Sequence, residues 1–538
     1  MSGDASTRGL KRQFGLLQAT ALNVTMIVGA GIFMTVPLMR KELPGPYLWL
    51  GWALGAVLMM VDGLVWAELG AAMPSSGGSY LYLLESYGRK RWGRAAAFLF
   101  IWQFMISGPL ELGSGLIAMA GFAPSISQKF ANYNEEHTIN RSVNLNEYVP
   151  AFLRTGNPTE KSTIGPASES TKESSKVPID KSTSASPPSA PTTTDDDNPV
   201  NVGITISPAR YCVLSLGVLM IVLLYRRITA LGKLTVLLWI GVLAVIGWVL
   251  FEGFRHGNPS MAFASFGTAK ELPVHFASKV GAIVSLAMYS YLGYYNVCYI
   301  GDEVHDPGRT MPRSIVLSAL LVAVLFISLH VAMLSVVPWN TIPTDQKQLD
   351  DYSLPAKMME TIYGKESSAM TIVSVLLIWS CFGSAFAGML GYARIPYGAA
   401  RQGHFYAALA RVHSSLQIPH VSLLLIGGMT LFWTFFDLDS VIKILIVTRI
   451  LEQFIAQIVG VMILRRTRPD MHRPYKIWLY PLPCFLAILG WLAVYLLSDR
   501  IYIALGLLTM TIGIAAFLLW SRISRSWPFA APEAAKTA

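Results

Sequence analysis

Gly29 and Gly31 stand one residue apart inside an apolar run from Leu16 to Leu38 that is almost free of charge. About twenty apolar residues suffice to cross a bilayer as a helix. Each glycine costs such a helix about 1 kcal/mol relative to alanine. Lipid offers the backbone no hydrogen bonds, so an opened helix is tolerated only where it is buried or lines a cavity. An opening at Val28-Gly29-Ala30-Gly31-Ile32-Phe33 would free backbone N–H groups at the start of the next half-helix. Together with the helix dipole they form an anion site. The chemistry on offer is capture of a carboxylate by backbone amides. The plainer reading is that two glycines let another helix approach closely.

A second stretch bears on these readings. Ser290-Tyr291-Leu292-Gly293-Tyr294-Tyr295-Asn296 interrupts another apolar run. A glycine among tyrosines and an asparagine is poor lipid-facing sequence and reads as a cavity lining. Two interrupted spans five helices apart are the sequence mark of an inverted-repeat transporter with its site at the repeat interface.

The elements that must position these stretches follow from composition. Of 538 residues 53% are hydrophobic and 14% charged, and mean hydropathy is +0.47. An average soluble domain is about 25% charged, so this is a polytopic membrane protein. The chain is expected to be all-α, with about twelve transmembrane helices at 16–38, 47–72, 93–123, 208–225, 229–254, 276–300, 314–337, 368–399, 418–436, 440–464, 476–497 and 501–521. The first run lacks the small-residue site of a cleavable signal. Basic clusters before span one, between alternate spans and after span twelve fall on one face. That face is expected to be cytoplasmic, with both termini, in a plasma or cytoplasmic membrane. The net charge of +10 is therefore no sign of nucleic-acid binding.

The expected organisation is 1–123 for helices one to three, 208–254 for helices four and five, 276–464 for the second repeat of helices six to ten, 475–521 for helices eleven and twelve, and 522–538 as a tail. Residues 124–207 form a polar outer insert rich in Ser, Thr, Pro, Lys and Asp. It is too poor in apolar residues to fold alone and is expected to be largely disordered. Asn144 to Arg154 is expected to form a local helix, and Asn140-Arg141-Ser142 fits a glycosylation acceptor.

Four stretches resemble the amino acid–polyamine–organocation superfamily, near the L-type amino-acid transporters and their bacterial relatives. They are Gly29 to Phe33 with Pro37, Ala67-Glu68-Leu69-Gly70 with Pro74, Gly77, Gly78 and Tyr80, the span-six break with Glu303 to Arg313, and Arg394 to Gly403 with Pro419. The resemblance implies a five-plus-five inverted repeat of the LeuT type with helices one and six broken. It implies that N–H groups of Gly29, Ala30, Gly31 and Ile32 hold the substrate carboxylate. Carbonyls near Ile27, Ser290, Tyr291 and Gly293 would hold the ammonium. A family gating aromatic falls near Ser290, where Tyr289 or Tyr291 would substitute, with Asn296 nearby. L-type chains bond a heavy subunit through a cysteine between spans three and four; 124–207 has none, so no disulfide-linked partner is expected.

Ionisable and hydroxyl groups within spans supply the coupling candidates. Lys233 in span five is either a snorkelling anchor or the cation that replaces a structural sodium in sodium-independent relatives; the matching family position falls near Val236. Ser380 and Ser384 in span eight are candidates to hold Na+, and Glu111 in span three to relay H+. No metal site is assigned. Arg449 and Glu452 are spaced to pair on one helix face. Asp302, Glu303 and Asp306 with Arg309 and Arg313 are candidates for inner-gate ion pairs. Without a P-loop, ATP-driven transport is unsupported, and no constellation suggests an enzyme. The expected function is secondary amino-acid transport by alternating access, as symport or exchange. The alternatives are a polyamine or cationic amino-acid exchanger, which needs an acid such as Glu111 in the pocket, and an amino-acid-binding nutrient sensor that does not transport.

Overall fold

The computed structural model describes residues 14–43, 45, 47–75, 77–145, 201–225, 228–264, 275–349, 352–365, 367–413, 416 and 418–529, excepting the side chains of 201, 228–236, 239, 346 and 347. The first apolar run folds as α1 (Leu16–Ile27) and α2 (Gly31–Glu42), separated at Val28 to Ala30. There follow α3 (Tyr47–Ala72), the short α4 (Ser79–Ser86) and α5 (Trp92–Phe122). A 3-10 turn leads to α6 (Gln128–Glu136), then to strands β1 (Ile139–Asn144) and β2 (Asn201–Ile206). Next come α7 (Pro208–Leu224), α8 (Ile228–His256), α9 (Pro259–Phe263) and α10 (Phe276–Tyr291). A 3-10 segment, Asn296–Glu303, joins α10 to α11 (Pro307–Leu334). Beyond it lie α12 (Gln346–Leu349), α13 (Leu354–Tyr363), α14 (Ser368–Tyr392), α15 (Arg394–Arg401) and α16 (His420–Trp433). The chain ends with α17 (Leu438–Arg449), a π-helical turn at Ile450–Ile455, α18 (Ala456–Thr467), α19 (Leu482–Leu496) and α20 (Arg500–Ile523).

Among the described residues seven helical stretches are long and apolar enough to cross a membrane, and three shorter apolar helices accompany them. Large apolar side chains stand exposed along their outer faces, as at Leu320 and Val324 on α11 or Leu489 and Leu496 on α19. In water such faces would be a liability; in lipid they are the solvated surface. Inside, α1, α3, α10 and α11 pack on one another, while α5 packs on α14, α16 and α17, and α14 on α8. Between these two groups lie both helix breaks.

Several boundaries depart from the sequence reading, among them span eleven, whose helix starts at Leu482 rather than 476. Span seven begins at Pro307 rather than near 314, because proline in a first turn sacrifices no intrahelical bond. The insert is ordered at both ends: β1 and β2 pair antiparallel from Ile139↔Ile206 to Asn144↔Asn201. This stem is pinned to the turn before α17, where Gly203 N–H donates to Asp437 Oδ2 at 2.7 Å and Thr205 N–H to the Phe435 carbonyl at 2.8 Å. Asn144 therefore ends a strand rather than starting a helix; 146–154, and the insert as far as residue 200, lie outside the described residues.

Candidate functional site: a cavity between two broken helices

The break in the first span has a local cause. Val28 leaves the helical region at φ −80°, ψ 71°. Gly29 N–H then turns back to the Ile27 carbonyl at 2.8 Å. The N–H groups of Ala30, Gly31 and Ile32 have no acceptor among the described residues. They are the orphan donors of the α2 N-terminus, where the helix dipole is positive. Of the four amides expected to face a carboxylate, Gly29 is thus already engaged and three remain free.

The second break mirrors the first in polarity. α10 ends at Tyr291, Leu292 N–H closes a tighter turn on Tyr289 carbonyl at 3.3 Å, and Gly293 takes φ +115°, which glycine adopts without strain. Carbonyls of Ser290 and Tyr291 accept no N–H among the described residues. The negative end of α10 therefore lies beside the positive end of α2.

Their approach is as close as backbones allow. A Cβ on Gly31 would stand 2.8 Å from Ser290 Cα, and one on Gly293 would stand 3.2 Å from the Ile27 nitrogen. A Cβ on Gly29 would meet Ser384 Oγ of α14 at 2.7 Å. Ser290 Oγ donates to Thr35 Oγ1 at 3.1 Å and lies 3.2 Å from the Leu286 carbonyl. Both readings of the glycines thus hold at once: they allow tight packing, and the backbone they free faces a cavity. That cavity holds about 490 Å³, counted out to its mouth, and is lined by Ile27, Gly29, Ala30, Gly31, Ser290 and Leu292 from the two breaks. Glu111 and Ser114 from α5, Tyr289 from α10, and Ser384 and Tyr392 from α14 are its polar wall residues beyond the breaks.

A family profile described as amino acid permease matches residues 14–517. The chain belongs to that family. The permease is 26% identical over 528 residues to the human cystine/glutamate transporter, covering 96% of this chain and 87% of that protein. It is 25% identical over 529 residues to the mouse Asc-type amino acid transporter 1, covering 95% and 81%. It is 23% identical over 490 residues to the serine/threonine exchanger SteT of Bacillus subtilis, covering 90% of each. The resemblance read from four short motifs is borne out along nearly the whole chain, and with it amino-acid transport by a multi-pass integral membrane protein.

Not every expected residue of this permease reaches the cavity. Tyr289 does, with its hydroxyl donating to Ser114 Oγ at 2.7 Å. Tyr291 turns the other way, stacked on Phe326 at 5.3 Å and donating to the Trp52 carbonyl at 3.4 Å. Ile32 is fully buried; its carbonyl accepts from His330 Nε2 at 2.9 Å. Asn296 is buried beside Gly293, and neither atom of its amide finds a partner among the described residues. Ser380, one helical turn before Ser384, is buried, its hydroxyl without a partner among the described residues. Lys233 lies on α8, its side chain outside the described residues, as is that of Val236.

The charged candidates pair differently from what spacing suggested. Glu111 is not isolated: its Oε2 holds Arg449 Nη1 at 2.6 Å and accepts from Tyr392 hydroxyl at 2.6 Å. Arg449, 1% exposed, also reaches Tyr295 hydroxyl at 3.3 Å. The expected Arg449–Glu452 ion pair is absent. A π-helical turn starts at Ile450; by widening the helix it breaks the register in which residues three apart share a face. On the other face, Glu303 pairs with Arg394 at 3.7 Å, and Asp306 meets Arg309 at 4.0 Å in the open. Phe14 bonds across to Glu303 and His305, tying the start of the described chain to the end of span six.

Among the buried polar groups that escaped the sequence reading are Asn23 and Asp62. Asn23 of α1 accepts from Val297 N–H at 2.9 Å and donates to Ser318 Oγ at 3.3 Å. It thereby ties the first span to the segment after the second break. Asp62 of α3 accepts from Tyr294 hydroxyl at 2.5 Å and Trp66 Nε1 at 3.0 Å. The rule that flagged Glu111, an ionisable group in an apolar span, flags Asp62 equally.

Proposed function

We propose that the chain carries a neutral zwitterionic amino acid through alternating access. Ala30, Gly31 and Ile32 N–H groups receive the carboxylate, and carbonyls at Ile27 and Ser290 to Gly293 the ammonium. The observation that supports this most directly is the opposed half-helix ends at one cavity, meeting at Gly31 and Ser290. They match both charges of a zwitterion without a charged side chain. Tyr289, at the cavity wall, is the aromatic placed to gate it.

The proposal includes the architecture: twelve spans with cytoplasmic termini in a plasma or cytoplasmic membrane. α8 and α10 complete the count with the ten apolar stretches above. Residues 1–123 with 208–254 form the first repeat, 276–464 the second, 475–521 the last two helices and 522–538 the tail; 124–207 are an extracytoplasmic insert. The packing that supports a rocking bundle is α1, α3, α10 and α11 against the group around α5 and α14. If sodium couples, Ser380, Ser384 and the Met26 carbonyl are the ligands on offer, Ser384 Oγ lying 3.4 Å from that carbonyl. Glu111 is the candidate for a proton, Lys233 for the substituting cation. A disulfide-linked heavy subunit is not part of the reading.

A cationic substrate would need a free acid in the cavity. Glu111 is there, but Arg449 neutralises it, which favours neutral substrates. A non-transporting sensor is disfavoured because the relatives above are named transporters and an exchanger. The test is uptake and counterflow in proteoliposomes with labelled amino acids, removing sodium and the pH gradient in turn. Uptake of neutral amino acids supports the reading. Saturable binding without flux would overturn transport, and uptake confined to cationic substrates would overturn the substrate class.

A further inference from the structure

The cytoplasmic ends of α5 and α20 leave between them a groove of about 1360 Å³, counted out to its mouth. Its walls are Ala95, Ala96 and Leu99 on one side and Ile514, Phe517 and Leu518 on the other. Trp92 and Trp527 close its inner end with ring centroids 5.1 Å apart. Trp92 is 67% exposed. Indoles at that level are characteristic of the membrane–water interface, where an apolar ring body meets lipid and its N–H meets water.

Exposed cations flank the indole pair along the chain. Lys90 and Arg91 immediately precede Trp92, and Arg525 lies two residues before Trp527. All three are exposed, and none has an acidic partner among the described residues. The acid nearest to Lys90 and Arg91 in sequence, Glu85, is already held by Arg89 and Arg468. An apolar slot opening to the hydrocarbon, capped by aromatic rings and then by unneutralised cations, has the polarity sequence of a phospholipid read from tail to headgroup.

We infer that this groove seats an acyl chain of an anionic phospholipid whose headgroup phosphate is met by Lys90, Arg91 and Arg525. The site is remote from the transport cavity and independent of what that cavity carries. Charge complementarity selects the occupant: a second copy of this chain would bring the same cations against themselves, since a two-fold contact places like patches together.

The experiment is native mass spectrometry of the full-length protein with phosphatidylglycerol or phosphatidylcholine of matched acyl chains. Expected are retained phosphatidylglycerol molecules in excess of phosphatidylcholine, undiminished by added inorganic phosphate. The triple variant Lys90→Gln, Arg91→Gln, Arg525→Gln lowers that preference by about fivefold for each charge near the headgroup. Ala96→Trp, which fills the slot, lowers retention of both lipids. The three glutamine changes are exposed and spare the fold, so the test stands even if Ala96→Trp does not express. Equal retention of the two lipids, an unchanged preference in the triple variant, or displacement by phosphate alone would overturn the proposal. So would crosslinking of two copies through Ala96→Cys in nanodiscs.

Discussion

A methyl group on Gly31 would stand 2.8 Å from the Cα of Ser290, while one on Gly29 would stand 2.7 Å from the Oγ of Ser384. The first obstacle is backbone and the second is a removable side chain. That difference makes the two glycines separable by experiment.

Gly31→Ala should force α2 from α10. Overpacking costs about 1–3 kcal/mol, which corresponds to roughly a tenfold to hundredfold loss of substrate affinity. Ser290→Gly should not restore it, because Cα remains. Gly29→Ala should also weaken binding, but adding Ser384→Gly should recover part of the loss, since Oγ and Cβ both vanish. Ligand-induced thermal shift of purified protein measures both. A bulkier change such as Gly31→Leu tests the carboxylate site less cleanly, because it disrupts the helix contact as well.

The Glu111–Arg449 pair, in which Arg449 is fully buried and Glu111 faces the cavity, sets a stability expectation. Removing one partner of such a pair costs about 3–5 kcal/mol by stranding the other charge. Glu111→Gln and Arg449→Met should each lower the melting temperature sharply, and the double variant should melt above either single one. Additive losses would show that the two residues do not act as a pair.

Asp62 makes a different demand. Asp62→Leu strands the Tyr294 hydroxyl and the Trp66 indole N–H in apolar surroundings, at about 1–3 kcal/mol for each unsatisfied group. Asp62→Asn keeps an acceptor and should retain most of the stability. Because Tyr294 follows Gly293, Asp62→Leu should also slow flux more than it weakens binding, read by comparing initial uptake rates with affinity.

His404 lies in the loop after α15, half-buried, against the Tyr80 hydroxyl. Burial, and then the charges of Arg94 and Arg89, hold its imidazole pKa below the ordinary 6.5. The folded loop therefore binds fewer protons than the unfolded chain, so its contribution is present above 6.5 and is lost as pH falls through the lowered value. Amide exchange over residues 402–410 should accelerate on going from neutral to acidic pH, and His404→Gln should flatten that response.

Much of the fold was legible because its signals are local. Length and lack of charge mark a span wherever it packs, and Gly29, Gly31 and Gly293 announce breaks from their own backbone preferences. Partnership was not legible. Three-residue spacing matched Arg449 to Glu452, yet a π-helical turn and a neighbouring helix gave Arg449 to Glu111, 338 positions away in sequence. Tyr289 and Tyr291 were equivalent as text. Two residues along a helix is a rotation of about 200°, so one faces the cavity and the other Phe326.

By itself the sequence determined that this chain lives in a membrane, that two of its helices open, and that the opened backbone leaves amides and carbonyls without helical partners. Hydropathy and glycine act over a few residues, so a linear text carries them. Only the tertiary structure decided that the two openings meet, that Ser384 and Glu111 share their cavity, and that Gly29 has already spent its N–H on Ile27. Those outcomes depend on how distant helices rotate and approach, which close packing settles across the whole molecule at once.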